Sequence, residues 1–358
     1  MKILYLNHIC WEWIFQRPQI LALELEKDFE CMVINKKFIL GKKIATCNKM
    51  PKQFKIVWQF PKADKIPFIS NLNRFIYKRA VGKVVKNYDI IWICHPSLIF
   101  SLPSSFKGKI IYDCMDNHVA ITSENNKKNL KEQEQELINR ADLIFVSSEN
   151  LKQIIPGLSS AHIIRNGYMS SALSLPIKEN LKKNVYKAGY FGTVSSWFDY
   201  KILDNSTKKN SNIEYHIIGP ISDELNDVIE QLHNDRICME GTIEHNHLRE
   251  VIEDYDILIM PFIVNEIILS VDPVKLYEYI NYGKCIISVW YPEIDRFSPF
   301  VYFYKNQEEF DKLLIQLQAI GFPAKYSEKE RREFLRENTW DSRYTQIKET
   351  IMEVVGHE

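Results

Sequence analysis

Between residues 256 and 290 the chain reads strand, loop, helix and strand in that order, and few folds accommodate that succession. Residues 256–262 and 285–290 are nearly unbroken apolar runs, the pattern of short strands covered on both faces. Between them Asp272 is placed to cap a helix, Pro273 suits its first turn, and Gly283 suits the position just past its end. Two buried strands joined through a helix pair in parallel, which is one step of a doubly wound α/β sheet. In such sheets ligands sit at the carboxyl ends of the strands, beside helix N-termini. Lys275 and Glu278 are three apart and share one face of that helix. Either they meet a ligand there, or they are a solvated pair of opposite charges.

The same grammar fills the rest of the chain. Strand-like runs at 2–7, 31–35, 54–60, 89–94, 109–113 and 142–147 alternate with helical patterns at 17–27, 71–86 and 127–140. That alternation predicts a largely parallel sheet with helices on both faces. Residues 162–167 close this half, and residues 168–184, with Ser, Pro, Lys and Asn, read as a linker. The pattern then restarts with strands at 185–191, 213–218 and 236–239 and helices at 199–207 and 248–255. At 358 residues the chain exceeds one ordinary core. The expected fold is therefore α/β, two Rossmann-like doubly wound domains facing across a cleft. Their expected bounds are 1–167, a linker over 168–184, 185–338, and a final helix over 339–358 returning to the first domain.

Net charge is zero, but its distribution is uneven. Residues 1–165 carry 25 Lys+Arg against 15 Asp+Glu, and the remainder carries 21 against 31. Most of the basic excess lies from Lys36 to Lys86, with 14 basic residues and one acid, Asp64. The pattern at 71–86 interleaves Leu72, Phe75 and Ile76 with Arg74, Lys78 and Arg79, so an anionic membrane surface is one reading and a solvated basic face the other. No nucleic-acid motif accompanies the charge, so no nucleic-acid partner is expected. Seven cysteines (Cys10, Cys31, Cys47, Cys94, Cys114, Cys238 and Cys285) form no C-x-x-C pair, which predicts free thiols, a reducing compartment and no zinc site. Met1 leads straight into a strand and no apolar run reaches membrane-span length, so a cytoplasmic location is expected, with peripheral contact at the inner face of the membrane.

Several stretches could carry chemistry. Gly189-Tyr190-Phe191-Gly192-Thr193 ends a strand, and small residues there let backbone amides approach a diphosphate, although a plain tight turn has the same composition. Gly241-Thr242 follows another strand. Trp11, Trp13, Gln16 and Arg17 precede a helix, where a cation with aromatic neighbours could receive a sugar or its phosphate, or could simply hold the helix start. Asp116, His8 and His118 lie just past strand ends and are candidates for a base that removes a proton from a hydroxyl. No D-x-D sits in a loop suited to a metal, so a metal-free mechanism is expected.

Pro273-Val274-Lys275-Leu276-Tyr277-Glu278-Tyr279 followed by Gly283-Lys284 resembles the donor helix of GT-B glycosyltransferases of the family 4 type. The likeness is to the bacterial surface-polysaccharide subgroup that includes the teichuronic acid biosynthesis enzymes. Gly189-Tyr190-Phe191-Gly192 with Trp197-Phe198-Asp199, and Trp11 with Gln16-Arg17-Pro18-Gln19, are similar to that subgroup as well. The resemblance implies a nucleotide-sugar donor, a UDP-sugar first and a GDP-sugar second, with no tightly bound cofactor. It implies that Glu278 holds the ribose, that Lys275 meets the phosphates together with backbone amides at Gly192 and Thr193, that Val274 belongs to the same donor site, and that Gly241 and Thr242 lie by the base. It also implies a lipid-linked or oligosaccharide acceptor at Trp11, Gln16 and Arg17, with Asp116 or His8 as base in an inverting enzyme. The wider family has a second glutamate eight positions before Glu278, where this chain has Ser270. That departure leaves a non-catalytic nucleotide-sugar or polysaccharide-binding subunit, or a GT-B epimerase, as the alternatives.

Overall fold

The computed structural model describes all residues except 13, 40–48, 64–65, 170–173, 178–181, 226–233, 244–246 and 356–358. Trp13, Cys47, Asp64 and part of the basic and linker stretches therefore lie outside the described residues. The chain divides into two compact units, Met1–Asn166 with Trp340–Glu358, and Gly167–Thr339.

The first unit is built on a parallel sheet in the order β3-β2-β1-β4-β5-β6-β7. Its strands are β1 (Lys2–Asn7), β2 (Glu30–Phe38), β3 (Gln53–Gln59), β4 (Ile90–Ile93), β5 (Lys109–Cys114), β6 (Leu143–Val146) and β7 (His162–Ile163). The order reverses between β1 and β4, the switch point where ligands of doubly wound sheets bind. Helices α1 (Arg17–Leu25), α2 (Pro67–Gly82), α3 (His118–Ile121), α4 (Glu124–Arg140) and α5 (Glu149–Ile154) complete the crossovers, with a 3-10 turn at Pro96–Ser101. β4 is buried at all four positions, which is why its sequence is uninterrupted Ile-Ile-Trp-Ile.

The second unit repeats the plan with a parallel sheet ordered β10-β9-β8-β11-β12-β13. Its strands are β8 (Tyr186–Phe191), β9 (Ile213–Ile218), β10 (Ile237–Gly241), β11 (Ile257–Met260), β12 (Cys285–Val289) and β13 (Tyr302–Tyr304). The helices, numbered onward, are α6 (Tyr200–Thr207), α7 (Leu248–Asp254), α8 (Val274–Asn281), α9 (Gln307–Ala319) and α10 (Glu328–Glu337). β11 and β12 are buried throughout, as their apolar runs require.

The last helix, α11 (Trp340–Val355), packs within the first unit. Tyr344 donates to Asp28 at 2.7 Å, and Lys348 pairs with the same carboxylate at 2.7 Å. The segment after Gly167 belongs to the second unit: Tyr168 N–H donates to the Asn338 carbonyl, and Leu175 is buried in that unit's core. Six described cysteines are free thiols, and Cys31, Cys94, Cys114 and Cys285 are buried. No described helix is long and apolar enough to cross a membrane.

Candidate functional site

In the second unit three strand ends and one helix start converge at the β8/β11 switch point. β8 ends in Gly192, whose φ of +142° belongs to the left-handed half of backbone space that L side chains rarely adopt. A Cβ there would lie 2.2 Å from Cε of Lys275 and 2.5 Å from its Nζ. Gly219, past β9, also has φ +142°, and a Cβ there would sit 2.1 Å from the Gly192 carbonyl oxygen, which cannot move aside. Gly219 N–H donates to the Gly241 carbonyl at 2.7 Å, and Gly192 N–H to the Ile218 carbonyl at 2.8 Å. Glycines thus let the ends of β8, β9 and β10 lie side by side and leave the space that the Lys275 side chain enters.

α8 supplies that lysine. Tyr279 fixes the helix to the sheet: Phe191 N–H donates to its hydroxyl at 3.1 Å, and the hydroxyl donates to the Ile259 carbonyl at 3.4 Å. Lys275 Nζ lies 5.9 Å from the centroid of the Tyr190 ring. Burial lowers its pKa, while the nearby Glu278 carboxylate opposes that shift. A partly desolvated ammonium at a helix start, beside backbone from two strand ends, has the chemistry to hold an anion. Val274 opens the helix, Glu278 lies one turn on, and both are partly buried. Thr193 turns its carbonyl to the Tyr190 hydroxyl at 2.9 Å, and Gly241 and Thr242 are exposed at the end of β10.

Helix α8 is capped by Pro273, not by the expected Asp272, which is buried and paired with Arg296. Arg296 also donates to the Tyr277 hydroxyl at 2.6 Å. The aspartate anchors the helix entry to the turn at Pro292–Phe297 instead of capping the helix. Gly283 takes φ +65° just past the helix, as the sequence requires. Ser270 is buried, with its hydroxyl on the Glu266 carbonyl at 3.4 Å, and Glu266 is exposed.

In the first unit the switch-point edge gathers histidines. His8 follows β1, His95 follows β4 and His118 opens α3, with ring centroids 5.0 Å (His8–His95), 6.0 Å (His8–His118) and 4.5 Å (His95–His118) apart. Burial holds all three pKa values below the usual imidazole range, His118 at about 4. His8 Nδ1 and His118 Nε2 are buried without a hydrogen-bond partner. His95 Nδ1 accepts from Ser97 N–H at 3.1 Å, which leaves its proton on Nε2. Asp116 lies at the same edge, and burial, aided by Asp113 and opposed by Arg17, pushes its carboxyl up to about 7. A carboxyl poised near neutrality beside neutral imidazoles can accept a hydroxyl proton.

The structure gives two of the expected acceptor residues internal roles. Arg17 is 4% exposed, with Nη2 2.7 Å from Asp113 Oδ1 and Nη1 donating to the Ile164 carbonyl at 2.7 Å. Trp11 is buried and donates to the Lys49 carbonyl at 3.0 Å. Gln16 is the N-cap of α1, and its N–H donates to Gln19 Oε1 at 3.3 Å. Sequence reasoning missed His95 and Gly219, although each follows a buried strand as His8 and Gly192 do. Among the described residues one mixed cluster of metal-ligating type occurs, His216, Cys238 and Glu240 on β9 and β10, where His216 Nδ1 lies 2.7 Å from Glu240 Oε1.

Two doubly wound α/β units, each on a parallel sheet, are the fold of the solved glycosyltransferases to which this chain is similar. The chain is 26% identical over 282 residues to TuaH of Bacillus subtilis (strain 168), assigned as a teichuronic acid biosynthesis glycosyltransferase; the match spans 72% of this chain and 70% of TuaH. Its structure is similar to the lipopolysaccharide outer core galactosyltransferase WaaB, with a TM-score of 0.67, 14% identity and 99% of each chain covered. It is also similar to HepE of Anabaena in complex with UDP, with a TM-score of 0.70, 14% identity, and 99% of this chain and 100% of that one covered. No family model matches the sequence.

Proposed function

We propose that this chain is a glycosyltransferase of surface-polysaccharide synthesis that uses a UDP-activated sugar. The observation that carries the reading is the Gly192–Gly219–Lys275 cradle, in which glycine backbone at two strand ends packs against one partly desolvated ammonium at the switch point of the second sheet. The 26%-identical relative assigned to teichuronic acid synthesis and the likeness to UDP-bound HepE support the class and the nucleotide. The diphosphate lies against Lys275 and the backbone at Gly192 and Thr193. Glu278 takes the ribose hydroxyls, Gly241 and Thr242 lie by the base, and Val274 begins the helix that faces the phosphates.

In the transfer, the bond from the anomeric carbon to the diphosphate oxygen breaks and a bond to an acceptor oxygen forms. Lys275 and the helix start neutralise charge on the departing diphosphate. Asp116 takes the acceptor's proton, with His8 as the alternative group, and the high carboxyl pKa suits that task. The acceptor is lipid-linked or an oligosaccharide, bound by the first unit. Peripheral membrane contact runs through α2, where Phe68 is 75% and Phe75 61% exposed among Arg74, Lys78 and Arg79.

Calorimetric titration of UDP into the natural chain and Glu278→Gln tests the donor assignment. Losing a hydrogen bond to a charged group should cost about 1.5–3 kcal/mol of UDP affinity. Unchanged affinity in the folded variant would remove α8 from the nucleotide site.

A further inference from the structure

At the carboxyl edge of the first sheet, a pocket of about 250 Å³ opens where β2, β3, α2 and the turn at Pro96–Ser101 meet. It is small beside the pockets that enclose drug-sized ligands, roughly 300–1,000 Å³. Most of its lining surface is apolar, from Phe38, Ala63, Tyr77 and Phe100, and set into that wall are the polar groups of Lys36, Arg74, Ser70, Ser97 and Gln59. Both cations are held in place by aromatic rings. Lys36 Nζ lies 5.0 Å from the Tyr77 centroid and Arg74 Cζ 4.4 Å from the Phe100 centroid.

Lys36 is partly buried and Arg74 exposed, and among the described residues neither is paired with an acid. Arg17, by contrast, is fully occupied by Asp113 and backbone, and Lys37 by Glu12 at 2.6 Å. Burial and then the charge of Arg74 pull the Lys36 ammonium down to about 8, so at neutral pH it keeps its proton while poorly solvated and near a like charge. An arrangement of that kind costs free energy in the empty protein and is relieved by an anion that accepts from both groups. Ser70 adds a hydroxyl donor near the start of α2, at its positive end, while the Ser97 hydroxyl is committed to His95 Nδ1 at 2.8 Å.

The pocket also adjoins the histidine cluster. The charge of Lys36 contributes to the lowered pKa of both His8 and His95, and Ser97 lines the pocket while bonding the His95 ring. A ligand group seated on Lys36 and Arg74 therefore lies near His95 and His8, the latter being the alternative group for the hydroxyl proton.

We infer that this pocket receives an oxyanion carried by the acceptor, a phosphate or a carboxylate, held by Lys36 and Arg74, so that the acceptor is an acidic glycan or sugar phosphate and not a neutral sugar. This rests on the glycosyltransferase reading above, since it assigns the charge of that reaction's acceptor. It also moves the acceptor's anchoring charge from Arg17 to two residues that the sequence showed only as members of a basic run.

The test is calorimetric titration of the full chain with three probes, a hexose 1-phosphate, a hexuronate and the neutral hexose, with UDP titrated in parallel. The natural chain should bind at least one charged probe about tenfold more tightly than the neutral hexose, and whichever charged probe binds better identifies phosphate or carboxylate. In Arg74→Gln, an exposed position where folding is safe, the preference should fall to about twofold while UDP affinity stays unchanged. Lys36→Gln should do the same, with UDP binding reporting that the variant is folded. Equal binding of charged and neutral probes by the natural chain, or a preference that survives in both variants, overturns the inference. Loss of UDP binding in the natural chain would overturn the donor assignment instead, and the charged-probe preference would still report on the pocket by itself.

Discussion

Replacing Lys275 by methionine should make the empty protein more stable and the nucleotide bind less well. The ammonium is packed over Tyr190 and against Gly192, and burial lowers its pKa. The sign follows from that direction: a lysine whose folded pKa is depressed binds its proton less well folded than unfolded. At pH values below its ordinary 10.5 it therefore subtracts from stability. Methionine keeps the length and flexibility of the stem and removes the charge, so the melting temperature should rise at pH 7. UDP loses one charge-assisted contact to its diphosphate, about 1.5–3 kcal/mol, or roughly 10- to 150-fold in Kd. Uridine, which has no phosphate, should bind the two proteins alike. Differential scanning fluorimetry gives the first number and calorimetry with UDP and uridine the other two. A variant that is less stable and binds UDP and uridine equally weakly would mean that Lys275 supports the fold and does not meet the phosphates.

Further outcomes follow from the first unit. Asp116→Asn should abolish transfer and leave UDP affinity unchanged; because the raised carboxyl pKa favours the protonated form in the folded state, the natural chain should lose stability as pH rises from about 4 through about 7, and the variant should not. His118 is shifted the other way, from 6.5 to about 4, so its contribution is present above pH 6.5 and is lost as pH falls through 4; a pH series of melting temperatures should show that loss, reduced in His118→Gln. Phe68→Ser with Phe75→Ser should lower co-sedimentation with anionic vesicles at 1 M salt, where screening leaves apolar insertion as the main attraction. Equal sedimentation of natural and altered chains there would detach α2 from the membrane.

What the sequence disclosed was the part that local physics writes. Ile257–Met260 and Cys285–Val289 are buried on both faces, so their apolar runs announce a parallel sheet, and Gly283 marks the end of α8 because a left-handed residue is required there. β13, three residues long, offers no such period. Partnerships distant in sequence were not legible. Arg17 meets Asp113, 96 positions away, so a cation that reads as a ligand group is in fact a buried brace. Asp272 has the chemistry of a helix cap but finds Arg296 instead, and the residue next to it takes the cap position. Lys36 and Arg74 are two of many basic residues in the sequence; only the fold shows that these two share a pocket. Gly192 could be recognised as a strand end, but its tie to Lys275 needed the crossover through β11.

The central claim is that a nucleotide-sugar is held at the switch point of the second sheet, and hydrogen–deuterium exchange with and without UDP tests it directly. Backbone amides that approach a diphosphate exchange more slowly when it is bound. The account predicts slower exchange at Gly192–Thr193, Gly219, Gly241–Thr242 and the first turn of α8 from Val274, with no change around Lys36, Asp116 and the histidines. Protection confined to the first unit, or none at the four segments at saturating UDP, would contradict it.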